Sequence, residues 1–188
     1  MHDLTTITSL GATDPRIDTH NGATCSEIND LALASVTARS GSEDACRKHM
    51  MALMNSVVPD PGKAALGHPE TAVWMGPDQW MIGAPFETHE DIADQLKARF
   101  KNTASVVEQT DAWCCFDLSG SGLPDIMELL CNINMRALHS GDALRTTIHH
   151  LGCFVICGDP NGFIRILGPR ASAASLHHAI VTAMKSAL

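Results

Sequence analysis

Apolar positions along the chain follow two rhythms, one of alternate residues and one of helical spacing. Residues 112–118 are apolar except for Asp117, the pattern of a strand covered on both faces. Gly120 and Gly122 follow as a turn, where residues without Cβ take positive φ. Pro124 and Asp125 suit the first turn of a helix. Its apolar stripe is Ile126, Met127, Leu130 and Ile133. Upstream, residues 31–38 alternate, with Leu31, Leu33, Ser35 and Thr37 on one face and three alanines and Val36 on the other, predicting a strand. Cys46, Met50, Leu53, Met54 and Val57 have helical spacing, and Ser40 and Glu43 form a capping pattern before them. Residues 72–75 and 80–82 flank Gly76-Pro77-Asp78-Gln79 and predict a β-hairpin. Thr88 then caps a helix with Glu90 and Asp91 in its first turn and Ile92, Leu96 and Phe100 facing inward.

The later part of the chain repeats this grammar. Residues 143–150 read as a strand. A second hairpin spans 151–156 and 163–167 around Gly158-Asp159-Pro160-Asn161-Gly162. A final helix places Ala173, Leu176, Ala179, Ile180, Ala183 and Met184 on one face. Two hairpin-plus-helix units, about 72–133 and 143–188, suggest an α+β fold with an internal pseudo-repeat. Residues 1–22 are polar, with turns at Asp14-Pro15 and Asn21-Gly22, and read as an extended or mobile arm. Residues 23–188 then form a single domain. Residues 59–69, with three prolines and two glycines, read as a loop.

Composition narrows the functional classes. At 188 residues with 45% apolar content, the chain can bury its own core. A net charge of −8 argues against nucleic acid as the main partner. No stretch approaches the roughly 20 apolar residues of a membrane span, and no basic patch followed by an apolar run marks a signal peptide. Seven cysteines without a regular framework fit reduced thiols and a cytoplasmic protein.

Candidate chemistry is sparse. His149-His150 and His177-His178 suggest metal ligands, but neighbouring side chains point apart on a strand or helix, and neither HExxH nor CxxC occurs. They read as surface residues, with one of the second pair exposed beside the last apolar stripe. Cys114 and Cys115 read as core fillers. Cys131 sits at a helix end whose dipole raises its pKa. Cys153 and Cys157 share a strand face but lie too far apart for a disulfide. Asp111 and Asp117 flank the central strand without a third group to make them a catalytic pair. Ser119-Gly120-Ser121-Gly122 carries no lysine and reads as a structural turn, not a phosphate cradle. No residue is assigned as catalytic, cofactor-binding or metal-binding.

Taken together, residues 30–39, the hairpin Val73 to Ile82, the segment Ser105 to Asp111, Phe116 to Gly120, and Leu130 to Ala143 resemble the gamma subunits of heterotetrameric sarcosine oxidases. The pairing of Trp-x-Gly-Pro-x-Gln-Trp with Ser-Val-x-x-Gln-[ST]-Asp about thirty residues later carries the resemblance, which covers roughly residues 25–186. The last helix departs from it, with Ser175-Leu176-His177-His178 where a tryptophan pair is frequent. The resemblance implies a fold like the aminomethyltransferase folate-binding domain. It implies a non-catalytic subunit that assembles with alpha, beta and delta subunits. The complex would demethylate sarcosine to glycine, with hydrogen peroxide formed and a one-carbon unit passed to tetrahydrofolate. FAD, FMN, NAD, tetrahydrofolate and zinc would then be held by the other subunits. Related N-methyl amino acid dehydrogenases carry similar small subunits. A stand-alone folate-binding protein is a further alternative, although the Lys-Gly-Cys-x-x-Gly-[QE] signature of one folate-domain branch is absent. A thiol-dependent hydrolase is a third class, and it would need an activating histidine beside one of the cysteines.

Overall fold

A computed structural model describes residues 6–67, 69–159 and 162–188. The first five residues of the expected arm and the Pro160-Asn161 tip of the second expected hairpin lie outside the described residues. In chain order, the elements are β1 (Ile17–His20), β2 (Ala23–Ile28), β3 (Leu31–Ala38), α1 (Glu43–Met54), β4 (Ala64–Ala65), β5 (Thr71–Gly76) and β6 (Gln79–Pro85). They continue with α2 (Phe86–His89), α3 (Ile92–Phe100), β7 (Ala104–Glu108), β8 (Trp113–Gly120), α4 (Leu123–Leu130), β9 (Ala143–Ile148), β10 (Leu151–Asp159), β11 (Phe163–Pro169) and α5 (Ala173–Ala187). The chain divides into two compact units, each with its own sheet.

One unit comprises Asp30–Asp111 with Gly141–Ala143. Its sheet has the order β4-β5-β6-β3-β7 and is antiparallel. The alternation in β3 sends Ala32, Ala34 and Val36 into a core shared with Met50 and Leu53 of α1, Trp80 and Ile82 of β6, and Leu96 and Phe100 of α3. Trp74 lies opposite Trp80 in the hairpin register and packs at the edge of this core. Trp80 is fully buried, and its indole N–H donates to the Pro59 carbonyl at 2.9 Å. The guanidinium of Arg47 stacks 5.3 Å above the same ring, and its Nε donates to Asp78 at 2.8 Å. Burial of this kind is worth roughly 3–5 kcal/mol on truncation to alanine.

Two local readings differ from what forms. Val57 does not extend the α1 stripe, because Asn55 takes a left-handed conformation at φ +47° and ends the helix; Val57 is 80% exposed. Helix α3 starts after Asp91, not at Thr88, whose hydroxyl belongs to the separate turn α2 and donates to the Pro85 carbonyl.

The other unit joins the chain up to Asn29 with Ala112–Ser140 and Leu144–Leu188. Its sheet order is β1-β2-β8-β11-β10-β9. The central strand β8 pairs antiparallel with β2 (Cys25 opposite Leu118) and with β11 (Leu118 opposite Ile164). Phe116, Leu118, Ile126, Met127, Ile164, Leu176 and Ile180 form its core. The segment read as a loose arm is fastened here. Strand β1 pairs with β2, and the buried Glu27 carboxylate accepts from the Ser9 hydroxyl at 2.6 Å and from the amides of Leu10 and Arg16 at 2.9 and 3.1 Å. Burial alone would raise the Glu27 pKa, but these bonds hold it below its ordinary value.

Each unit follows one order of elements: central strand, helix, hairpin, helix. In each, the second hairpin strand pairs with the central strand, a split β-α-β arrangement. After the second helix, the Asp30–Asp111 unit continues into β7, which takes the other edge of β3. In the other unit that edge of the central strand is taken by β2, from upstream.

Candidate functional site

The histidines singled out by sequence are separated into different roles. His149 and His150 do not extend β9; they form the two-residue turn into β10, with φ of +47° and +69°. Two successive positive φ values are the mark of a type I′ hairpin turn, usually filled by Asn-Gly. His149 lines a cleft of about 470 Å³ whose other walls are Leu129, Leu130, His178, Thr182 and Ser186. The fold therefore brings one member of each histidine pair to a common cleft. Leu129, 59% exposed, supplies its apolar rim. Among the described residues, no group of three or more His, Cys, Asp or Glu side chains is placed to hold a metal ion.

His177 turns inward from the same helix. It is buried, lies 5.7 Å from the Phe116 ring and meets Asp18 with Nε2 at 2.8 Å from Oδ2. Asp18 also receives Arg16 Nε at 2.8 Å. The Arg16 hydrogen bond, helped by that of His177, holds the Asp18 carboxyl below its ordinary value. His178 is exposed.

The cysteines are thiols in the core. Burial pushes Cys25 up to about 12 and Cys46, Cys114 and Cys153 up to about 11. Cys131 is raised too, by burial. Thiols so protonated at neutral pH are poor nucleophiles, which goes against the hydrolase class. Asp117 forms a two-pronged pair with Arg165 across β8 and β11, at 2.8 and 2.7 Å. Asp111 belongs to the other unit, so the two carboxylates serve different sheets.

The glycine turn before α4 has a structural occupant. The Ser121 amide and hydroxyl donate to the carbonyls of Gly22 and Asn21, both at 3.1 Å. The turn therefore grips the β1–β2 connection.

In the Asp30–Asp111 unit, residues 105–111 hold the sheet together. The Gln109 amide donates to the Leu33 carbonyl at 2.8 Å, and the Leu33 amide donates to the Thr110 hydroxyl at 3.0 Å. A cleft of about 440 Å³ beside them is acidic, lined by Glu90, Asp91, Asp94, Glu108 and Asp111, with Lys97 as its cation.

Apolar side chains also reach solvent on both units. Ile7 and Ile17 are exposed near the edge strand β1, Val107 on the edge strand β7, and Met51, Val57 and Leu66 around the end of α1 and the loop after it. The sequence does not mark Val107 as exposed, because alternation alone does not tell an edge strand from a central one. No helix among the described residues is long and apolar enough to cross a membrane.

No protein-family model matches the chain, and no curated protein sequence matches it. Solved structures share its fold. A chain of the heterotetrameric sarcosine oxidase from Corynebacterium sp. U-96 superposes with a TM-score of 0.74 at 17% identity, covering 90% of this chain and 87% of that one. The glycine cleavage system aminomethyltransferase T from Bartonella henselae superposes with a TM-score of 0.60 at 11% identity, covering 82% of this chain and 44% of that one. The fold is thus a mixed α/β arrangement of the kind found in aminomethyltransferases and in a sarcosine oxidase chain.

Proposed function

We propose that this chain is a non-catalytic subunit of a sarcosine oxidase-type complex, in the place of the gamma subunit. The observation that carries the reading is the extent of the likeness to the sarcosine oxidase chain, 90% of this chain and 87% of that one. The motifs behind the resemblance agree with a structural role. Trp80 of the hairpin motif is buried core, and Gln109 and Thr110 of the second motif fasten β7 to β3.

On this reading the alpha, beta and delta subunits hold FAD, FMN, NAD, tetrahydrofolate and zinc. The complex oxidises sarcosine to glycine, forms hydrogen peroxide and passes a one-carbon unit to tetrahydrofolate. This chain contributes contact surfaces, with exposed Ile7, Ile17 and Val107 beside open strand edges as anchors. We also read the two units as a duplication, supported by their common order of strand, helix, hairpin and helix. Seven free thiols fit a cytoplasmic setting.

The test is affinity purification of the tagged chain from its own cells. Flavin-containing partner subunits and sarcosine-dependent peroxide formation should elute with it. A complex active on another N-methyl amino acid would keep the subunit role and change the substrate. Failure to associate with alpha and beta subunits, with an unchanged melting midpoint in their presence, would remove the reading. Stoichiometric, tight folate binding by the isolated chain would remove it in favour of a folate-binding protein.

A further inference from the structure

A second cleft, of about 380 Å³, adjoins the first across His178 and runs along α5 beside the segment that precedes β1. Its titratable lining is entirely basic: Arg16, His177, His178 and Lys185. Leu10 and Val181 supply apolar wall. On α5, residues 174, 178, 181 and 185 recur at helical spacing, so one helix face presents His178 and Lys185 together.

The chain carries a net charge of −8 with histidine neutral, and this cleft brings Arg16 and Lys185 together with no carboxylate in its lining. Asp18, the carboxylate bonded to this cluster, is already engaged by Arg16 Nε and Nη2 and by His177 Nε2. That engagement fixes His177, which is only 7% exposed, with Nε2–H directed at Asp18 and Nδ1 left over. Lys185 and His178 have no hydrogen bond or ion pair among the described residues, and the Arg16 Nη1 donates to none of them. Unspent donors from two separate segments therefore converge on one space large enough for a small ligand.

We propose that this cleft binds a phosphate group, either as the free anion or as the head of a small organic phosphate. Arg16 and Lys185 supply fixed charge, His178 a further donor at the rim, and His177 a buried imidazole held in place by Asp18. In the organic case the remainder of the ligand lies on Leu10 and Val181. The proposal does not depend on the subunit reading.

The probes are inorganic phosphate and phenyl phosphate, titrated into the full chain at low ionic strength and followed through the imidazole NMR signals. Saturable shifts of the His177 and His178 signals are expected. Lys185→Gln and His178→Gln, both at exposed positions, should each weaken binding about fivefold, while Lys97→Gln in the other unit leaves it unchanged. Several-fold tighter binding of phenyl phosphate assigns the site to organic phosphates; equal affinity assigns it to the free anion. The absence of saturable shifts with either probe, or equal weakening by Lys97→Gln, overturns the proposal.

Discussion

Replacing Gly120 with alanine tests how the glycine turn before α4 holds its unit together. Gly120 has φ +96°, and a Cβ built on it would lie 2.1 Å from the carbonyl oxygen of Gly22. Two costs follow. Positive φ costs an L-residue roughly 1–2 kcal/mol. Pushing two backbones apart inside a formed sheet costs about 1–3 kcal/mol more, because the Ser121 bonds to Asn21 and Gly22 and the Ala23–Gly120 pairing share the same few atoms. The sum is about 2–5 kcal/mol. Gly11→Ala is the internal control, since Gly11 lies in the same unit at φ +82° with nothing within 4 Å of the added Cβ. It should show the first cost alone. For a chain of this size 1 kcal/mol moves the melting midpoint by about 2–4 °C. Circular dichroism melts should therefore place Gly120→Ala about 4–20 °C below the parent and Gly11→Ala about 2–8 °C below it, with the Gly120 shift the larger. Equal shifts for the two variants would refute the close-approach argument.

Three further outcomes are expected. His150→Gly should stabilise the chain by about 0.5–1 kcal/mol in urea denaturation, because glycine takes the second type I′ position without strain; a loss of stability would show that the imidazole makes a contact worth more than the strain. Glu27→Gln should loosen the segment before β1 by about 1–3 kcal/mol, read as faster amide exchange at Leu10 and Arg16. Because the folded Glu27 pKa is depressed, its contribution is present above the unfolded value and lost as pH falls through the folded one, so the protection of these amides relative to the intrinsic rate should fall in acid; pH-independent protection would contradict the latch. The buried thiols work in the other direction. With folded values raised from 9.0 to about 11 or 12, their contribution is complete below pH 9 and lost as pH rises towards 11. Stability should fall over that window, with a shallower slope in Cys153→Ala; an unchanged slope would count against a buried, protonated Cys153.

The hairpin β5–β6, the helices α3 and α5 and the strand β8 could be read from the sequence because each states its own period within a dozen residues. The face assignment of β3 was legible for the same reason, with alanines where helices approach and leucines opposite. Strand β2 was not. Its inward positions are Ala23, Cys25 and Glu27, and a glutamate breaks the apolar alternation. That glutamate is satisfied by three donors located 11 to 18 residues away, a solution no local window contains. The clefts were illegible for a related reason. His149 and His178 are separated by a strand pair and a helix start, and only the packing of α5 brings them to one space. The doublet spacing, read alone, said correctly that His177 and His178 diverge, but the His149 and His150 rings stay 6.0 Å apart in their turn, and it could not say which distant residues converge.

The place of β2 beside β8 has a consequence for biosynthesis. Its partner residues lie about ninety positions further along the chain, a long loop to close before any pairing is rewarded. The strands β3, β6 and β7 all fall within Asp30–Asp111, so that unit has its sheet complete while the ribosome is still making β8. At roughly 5–20 residues per second, β2 waits for seconds with only β1 beside it, its other edge open and apolar Ala23 and Cys25 on one face. During that interval the nascent chain carries one finished body and one orphan edge. The pace of translation through residues 112–120 therefore sets how long that edge stays open.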